Sequence, residues 1–122
     1  MQEIKKIATG SPWEDIVGYS RAIKIGNIIE ISGTTAPGRN EYEQTVAIIE
    51  NIKKVLEGLD ASLDNVIRTR IYCTDITQWE KIGKAHGEYF GKIKPVTSMV
   101  EVSKLIDPSI LVEIEFSAIV SQ

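Results

Sequence analysis

The chain has 122 residues, of which 43% are hydrophobic, and its formal net charge is −3. These values suit one globular domain over residues 1–122, and the acidic balance argues against the basic surface that a nucleic-acid partner requires. Its one cysteine, Cys73, cannot form an internal disulfide, and no apolar run approaches the ~20 residues needed to cross a bilayer. We therefore expect a cytoplasmic protein with no membrane partner.

The first part of the chain is predicted to contain three strands. The first covers residues 4–8, and the breaker-rich segment 9–15 is predicted to be a loop. Two apolar, β-branched runs follow over residues 20–25 and 27–32. A Gly-Asn dipeptide at 26–27 separates them, and a turn dipeptide between two such runs predicts a β-hairpin.

The first long helix is predicted to follow a polar loop over residues 33–40. Asn40 can cap it, and Glu43 has the spacing of a capping box. Apolar residues then recur at spacings of three and four, which predicts one buried stripe. The stripe consists of Thr45, Ile48, Ile49, Ile52, Val55, Leu56 and Leu59. Gly58 is predicted to end the helix in a left-handed conformation.

A strand with two different faces is predicted over residues 65–74. Its core face carries Ile67, Thr69, Ile71 and Cys73, and the opposite face carries Val66, Arg68, Arg70 and Tyr72. Cys73 is interpreted as a buried, inert thiol.

A second helix is predicted from a capping box formed by Thr77 and Glu80, and Gly91 is predicted to end it. Its buried stripe consists of Trp79, Ile82, Tyr89 and Phe90. The only histidine, His86, lies on this stripe and is interpreted as a partly buried packing residue. One histidine and one cysteine far apart in the sequence do not predict a metal site.

Two further strands are predicted over residues 94–105 and 111–120, joined by a turn at Asp107 and Pro108. In the second strand, apolar residues alternate with Glu113, Glu115 and Ser117, so one face is core and the other is polar. The two glutamates can act as an acid–base pair or form an ordinary charged strand face. Arg68 and Arg70 can neutralise them or anchor a carboxylate, and the pattern leaves both open.

These elements predict an α+β fold in which one sheet carries two helices on one face. The uncovered face combines charged residues with Val66, Leu111 and Ile119. This mixture is too apolar for a plain solvent face, so we expect a homo-oligomer that covers it.

Several segments in unbroken order resemble the RidA/YjgF family of reactive-intermediate deaminases. They are Gly18-Tyr19-Ser20-Arg21-Ala22, Gly26-Asn27, Ile31-Ser32-Gly33, Gln44-Thr45, Asn51-Ile52, Thr74-Asp75, the run from Lys94 to Val102, and Val112-Glu113-Ile114-Glu115. The resemblance implies a chorismate-mutase-like fold and a homotrimer whose sheets form a central barrel. It also implies small-molecule clefts between subunits, hydrolysis of enamines and imines such as 2-aminoacrylate and 2-iminopropanoate, and no metal or organic cofactor.

The resemblance also implies roles for individual residues. Tyr19, Ser32 and Gly33 match residues that line the family's ligand cleft, although here Val17 and Gly18 precede Tyr19 and the proline of the family's Gly-Pro-Tyr-Ser segment is missing. Glu113 matches the glutamate that positions the attacking water.

The chain departs from the family pattern at Thr97, where deaminating members carry the arginine that holds the substrate carboxylate. Met99 stands where many members have a small residue or cysteine. Loss of a buried charge pair costs roughly 2–5 kcal/mol. Two hypotheses stand near parity: a deaminase in which Arg70 or Arg21 replaces the anchor, and a non-deaminating protein that binds a small, uncharged metabolite. A protein-interaction module is a third.

Overall fold

The computed structural model describes residues 3–121. In chain order, the elements are β1 (Ile4–Ile7), α1 (Pro12–Val17), β2 (Ala22–Ile25), β3 (Ile28–Thr34), α2 (Glu41–Glu57), β4 (Val66–Cys73), α3 (Trp79–Phe90), β5 (Val96–Glu101) and β6 (Val112–Ile119). Short 3-10 turns precede β4 at Leu63–Asn65 and precede α3 at Ile76–Gln78.

The strands form one six-stranded sheet in the order β1-β2-β3-β6-β4-β5. Every neighbouring pair is antiparallel except β4 and β5, which are parallel and connected through α3. The predicted α+β class is confirmed. The two C-terminal strands are not neighbours, however, because β6 lies in the centre of the sheet and β5 lies at its edge.

The core lies between the sheet and helices α2 and α3, and the alternation in β6 builds one wall of it. Val112, Ile114, Phe116 and Ala118 are buried, whereas the intervening residues are half-buried. The predicted face assignment of β6 is therefore confirmed. Full burial of a side chain as large as Phe116 contributes roughly 1.5–3 kcal/mol.

The segment predicted to be a loop over residues 9–15 contains helix α1. Pro12 occupies the first helical turn, where its missing N–H is not needed, and Glu14 and Asp15 place negative charge at the helix N-terminus. Gly18 ends the helix with φ 89°, a left-handed conformation that favours glycine. Pro12 and Gly18 therefore mark the start and the end of a short helix and do not prevent it from forming.

A register shift in β4 overturns part of its predicted face pattern. Val66 pairs with Ala118 and Arg68 pairs with Ser117, so Ile67 is an extra residue in the strand. Such an insertion turns the next side chain to the other face. As a result Val66 is buried and Ile67 is 46% exposed, the reverse of the prediction.

The helix ends differ in part from the capping predictions. Asn40 accepts a hydrogen bond from the Glu43 N–H (2.9 Å), as predicted, but Glu43 accepts from the Arg39 N–H instead of completing the box. Gly58 is right-handed (φ −66°), and the left-handed residue after α2 is Asp60.

The predicted box at the start of the second helix is also wrong. Asp75 accepts from the Thr77 N–H and caps the preceding 3-10 turn, and α3 has no side-chain cap. Trp79, at the first position of α3, is 54% exposed, whereas Ile82 and Phe90 are buried as predicted.

The sheet face opposite the helices, here called the open face, carries both charged and apolar side chains. Ile28 and Ile119 are cross-strand partners on it, and both are substantially exposed. Val96 and Val100 extend the apolar area along β5. Leu111, by contrast, packs against the core. None of the helices within residues 3–121 has the length and apolar character that crossing a membrane demands.

Candidate functional site

Four of the predicted site residues converge on one depression, here called the acid cleft. Tyr19, Ser32, Gly33 and Glu113 all line this open cleft of about 850 Å³. Arg21 lines it as well, and Trp13 and Val17 of α1 supply an apolar wall. The cleft lies where β3 and β6 diverge, between Ile31 and Thr34, at a shift in their register.

The Glu113 carboxylate lies directly against the backbone of Gly33. A side chain at position 33 would place its Cβ within 2.9 Å of the Glu113 carboxyl carbon and closer still to Oε2. Only glycine permits this approach without displacing the acid. The glycine that follows the hydrophobic run of β3 therefore has a defined role in seating Glu113.

The surroundings of Glu113 favour its protonated form. Burial raises the pKa of Glu113 first, and repulsion from Glu115 raises it further, while the Arg21 charge partly opposes both. An acid whose pKa moves toward neutrality is suited to exchange protons with a substrate at physiological pH.

Arg21 holds the wall of the cleft that faces Glu113. Its Nη1 donates to the Gly33 carbonyl (2.9 Å) and to Thr34 Oγ1 (3.1 Å). Its Nη2 lies 3.5 Å from both Glu14 Oε2 and the Tyr19 hydroxyl, and its guanidinium carbon is 5.6 Å from the Tyr19 ring centre. Most of its hydrogen-bonding capacity is therefore directed at the protein itself.

Glu14 supports the site by pairing with Arg21, and no role for it was predicted. It is 5% exposed and accepts hydrogen bonds from the Thr9 hydroxyl (2.6 Å) and the Thr9 N–H (3.1 Å). The Thr9 hydroxyl is the main cause that lowers the pKa of Glu14, so it stays ionised beside Arg21. The available signal was Pro12 followed by two acids, a helix start that was interpreted as a loop.

Gln44 positions the strand that carries Glu113. The buried Gln44 amide donates to the Ser109 carbonyl (2.8 Å) and accepts from the Leu111 N–H (2.9 Å). It thereby ties the segment ahead of β6 to helix α2. Ser32 is fixed in a similar way, because its hydroxyl donates to the Ser20 carbonyl (2.7 Å).

Arg70 lies outside the acid cleft, in an adjacent groove of about 730 Å³. The two depressions share Tyr19, Ser32 and Glu115 as lining residues. Arg70 stands opposite Glu115 across the sheet, but the Glu115 carboxylate accepts its hydrogen bond from Tyr72 (3.0 Å). The ion pairs among residues 3–121 do not include Arg70.

Thr97 and Met99 lie away from the acid cleft, in a second depression here called the threonine cavity. It has a volume of about 350 Å³, lies between β5 and α3, and shares no lining residue with the acid cleft. Thr97 Oγ1 is 2.8 Å from Thr69 Oγ1, which in turn is 2.9 Å from His86 Nε2. Neither Thr69 nor His86 was predicted to contribute to a site.

His86 is half-buried, as predicted, and its ring packs on Phe90 with centroids 4.7 Å apart. Burial lowers the pKa of His86, so the imidazole is neutral at pH 7. Cys73 is fully buried, and burial is the first cause that raises the pKa of its thiol. In the described part of the chain, no three His, Cys, Asp or Glu residues are grouped so that they could hold a metal ion.

Comparisons with known proteins agree over nearly the whole chain. A family model described as Endoribonuclease L-PSP matches residues 10–120. A RutC family protein of Pyrococcus abyssi is 40% identical over 105 residues, which cover 80% of this chain and 82% of that protein. A RutC family protein of Pyrococcus horikoshii is 37% identical over 123 residues, with coverage of 94% and 95%. A solved member of the YjgF/YER057c/UK114 family from Mycobacterium tuberculosis has a TM-score of 0.95 and 47% identity, and covers 97% of this chain and 100% of that one.

Proposed function

The chain belongs to the RidA/YjgF family, whose model is described as Endoribonuclease L-PSP, and we propose that it hydrolyses small enamines or imines with Glu113 as the acid–base residue. The observation that carries this proposal is the half-buried Glu113 carboxylate, seated against the Gly33 backbone with a raised pKa. Family membership supports a Rid-type function in general, and Glu113 is the group in the acid cleft best suited to the chemistry.

The proposed reaction starts from the protonated imine and has three proton transfers, all of which one residue can perform. Ionised Glu113 takes a proton from water as the water oxygen attacks the C=N carbon, which gives a neutral carbinolamine. Protonated Glu113 then gives that proton to the amino group, and the C–N bond breaks to release ammonia. As the carbonyl forms, the carbinolamine hydroxyl gives its proton back to ionised Glu113, which passes it to the departing ammonia, so a 2-oxo compound and ammonium leave. A carboxyl with a raised pKa is a stronger base than an ordinary glutamate and remains a competent acid. The reaction requires no metal or organic cofactor.

We propose further that the working form is a homotrimer, with its sheets as a central barrel and the ligand in clefts between subunits. Glu113 and Thr97 both match site residues of the family, yet they line separate depressions of one chain. A neighbouring copy can bring the threonine cavity of one subunit to the acid cleft of the next. The exposed Ile28, Ile119, Val96 and Val100 on the open face support such an association, because exposed apolar patches favour contact with a partner.

RNA cleavage, which the description of the family model names, is not what we propose. The chain carries a net charge of −3, and Glu113 and Glu115 both line the acid cleft. Nucleic-acid binding depends on neutralisation of phosphates by basic side chains, and two carboxylates oppose it.

The alternative function is binding of a small metabolite without deamination. It is favoured by the hydroxyl of Thr97 at the position where the resemblance implies arginine. Arg21 is a weak replacement, because it is committed to Gly33, Thr34 and Glu14. Arg70 lies in the neighbouring groove.

The test is hydrolysis of an imine generated in place, for example 2-iminopropanoate from an amino-acid oxidase, followed by the rate of ammonia release. We expect acceleration by the wild-type protein and a loss of about 100-fold or more in Glu113→Gln, the usual range for removal of a general acid–base group. Glu57→Gln, an exposed position at the end of α2, is the matched control and should behave as wild type.

Each part of the proposal can fail separately. If the protein accelerates hydrolysis of neither 2-iminopropanoate nor the corresponding amide imine, the proposed hydrolase activity is wrong. Binding of a small metabolite without deamination then remains. Acceleration that survives in Glu113→Gln contradicts the role of Glu113. A monomer at micromolar concentration in analytical ultracentrifugation contradicts the trimer.

A further inference from the structure

We propose that Thr97, Thr69 and His86 act as one hydrogen-bonded unit that selects an uncharged polar group of the ligand, such as an amide, carbonyl or hydroxyl, over a carboxylate. The inference rests on the proposed function only in taking Thr97 as a residue that contacts the ligand. It assigns a specificity-determining role to Thr69, which lies behind Thr97, and to His86, which lines the threonine cavity together with Thr97.

The first support is the geometry of the unit. Thr69 is fully buried on β4, His86 is half-buried on α3, and Thr97 is exposed on the edge strand β5. The two contacts of the Thr69 hydroxyl, 2.8 Å to Thr97 and 2.9 Å to His86, are both of hydrogen-bonding length. The unit therefore connects a half-buried imidazole to a hydroxyl at the mouth of the threonine cavity.

The second support is the number of hydrogens that the Thr69 hydroxyl and the His86 ring can donate. The Thr69 hydroxyl has one hydrogen, so it donates to one neighbour and accepts from the other. When His86 carries its proton on Nε2, Thr69 accepts from it and donates to Thr97, which leaves the Thr97 hydrogen free for a ligand acceptor. When the proton is on Nδ1, Thr97 donates to Thr69 and Thr69 donates to Nε2, which leaves the Thr97 lone pairs for a ligand donor.

Thr97 can therefore present a donor or an acceptor without any change of charge. Its present alternative acceptor, the Pro95 carbonyl, is 3.3 Å away, a long contact that a ligand can replace. The lining around it includes the apolar side chains of Ile71, Phe90 and Met99. The lining offers a carboxylate only the neutral side chains of Thr97 and His86 and the exposed Lys94, whereas an uncharged polar group can pair with Thr97 at a smaller cost in hydration.

Lys94 is the cation that lines this cavity, and its side chain is exposed to solvent. An exposed ammonium gives a weak, screened interaction, so we do not expect it to reverse the preference. A Lys94→Ala variant tests this point directly, since a carboxylate-binding cavity would depend on it.

The test is direct binding of two probes of equal size, pyruvamide and pyruvate, followed by NMR titration at pH 7. We expect pyruvamide to bind about tenfold more tightly, the ratio that one net hydrogen bond provides. Thr97→Val keeps the shape and should lose that factor for pyruvamide only. Ser98→Ala, which removes the next hydroxyl on the opposite face of β5, is the matched control.

Two variants at position 86 distinguish a role in ligand selection from a purely structural role. Gln can donate or accept in place of the imidazole and Leu can do neither, so His86→Gln should keep the amide preference and His86→Leu should lose it. Circular dichroism checks that both variants fold. Equal or tighter binding of pyruvate, binding of neither probe, indifference to Thr97→Val, or equal behaviour of the two His86 variants overturns the inference. The assay needs no turnover, so a failed hydrolase proposal leaves this result readable.

Discussion

The acid cleft and the threonine cavity differ in charge: the cleft is lined by carboxylates and a guanidinium, whereas the cavity has Lys94 as its charged side chain. Glu113 and Arg21 both line the acid cleft, and Arg21 also pairs with the Glu14 carboxylate, which lines the adjacent groove. In the cavity, Thr69 and His86 are neutral and bond to each other. Burial raises the pKa of Glu113 and lowers that of His86, so it favours the uncharged form of each. Glu113, the proposed acid, and Thr97, the proposed recognition residue, thus line separate depressions of one chain, so each can be altered without the other.

The largest effect on the rate of imine hydrolysis is expected when a positive charge is added to the threonine cavity at residue 97. In the proposed homotrimer, where a neighbouring subunit would cover the exposed position 97, Thr97→Arg should raise kcat/KM for 2-iminopropanoate by tens to thousands of fold, because a charge pair buried between subunits provides roughly 2–5 kcal/mol. Steady-state ammonia release measures it. Glu57→Arg adds a positive charge at an exposed position of α2 that lines neither depression, and it should have no such effect. A Thr97→Arg variant without any gain would mean that residue 97 does not contact the substrate.

The next largest effect is on the free energy of unfolding, and it compares a glycine of the acid cleft with a glycine beside the threonine cavity. Gly33→Ala places a Cβ against the Glu113 carboxylate, which is the flexible end of that side chain and must turn aside, and should lower the free energy of unfolding by up to about 1 kcal/mol. Gly87→Ala, in helix α3 beside the threonine cavity, meets nothing within 4 Å and should raise it by about 0.5–1 kcal/mol. Urea denaturation distinguishes the signs. Equal effects would contradict the close seating of Glu113.

A smaller effect is expected in the pH dependence of the acid cleft. The folded-state pKa of Glu113 is raised above its ordinary value of 4.5, so the folded protein binds this proton more tightly than the unfolded chain. Stability should therefore fall as pH rises from about 4.5 through the folded-state pKa. Glu113→Gln removes this loss, and its urea midpoint should exceed that of wild type at pH 8 but not at pH 4. A difference that is constant with pH would contradict the raised pKa.

The threonine cavity should show the opposite slope. The folded-state pKa of His86 lies below its ordinary value of 6.5, so its contribution to stability is present above pH 6.5 and is lost as pH falls through the folded-state pKa. His86→Gln should flatten this part of the stability curve between pH 7 and pH 5. His86 is the only histidine, so no other imidazole contributes there. A wild-type curve that already lacks this slope would contradict the burial argument.

Short-range patterns predicted much of this fold. The alternation from Val112 to Ala118 assigned both faces of β6, and the Gly-Asn dipeptide placed the β2–β3 hairpin, in which Gly26 is left-handed. Asn40 was identified as the cap of α2. Each of these features depends on residues within a few positions of one another, so the sequence pattern contains the relevant physics.

The failures came from long-range geometry. The inserted Ile67 becomes visible only from the register that β4 takes against β6, and alternation alone assigns its neighbours to the wrong faces. The edge position of β5 depends on the α3 crossover. In the site, Glu113 and Gly33 lie 80 positions apart in the numbering, and their contact requires the complete sheet. Glu14 was missed because a six-residue helix has too few positions to show a period.

The central place of β6 has a consequence for how the protein is made. Strands β3 and β4 both pair with residues 112–119 and not with each other. A nascent chain that has not yet reached this segment on the ribosome leaves the two inner strands with open hydrogen-bonding edges, which invite aggregation. The hairpin of β2 and β3 can form early, but the core closes only when the last strand inserts. Translation past residue 119 therefore sets the earliest moment at which Glu113 meets Gly33.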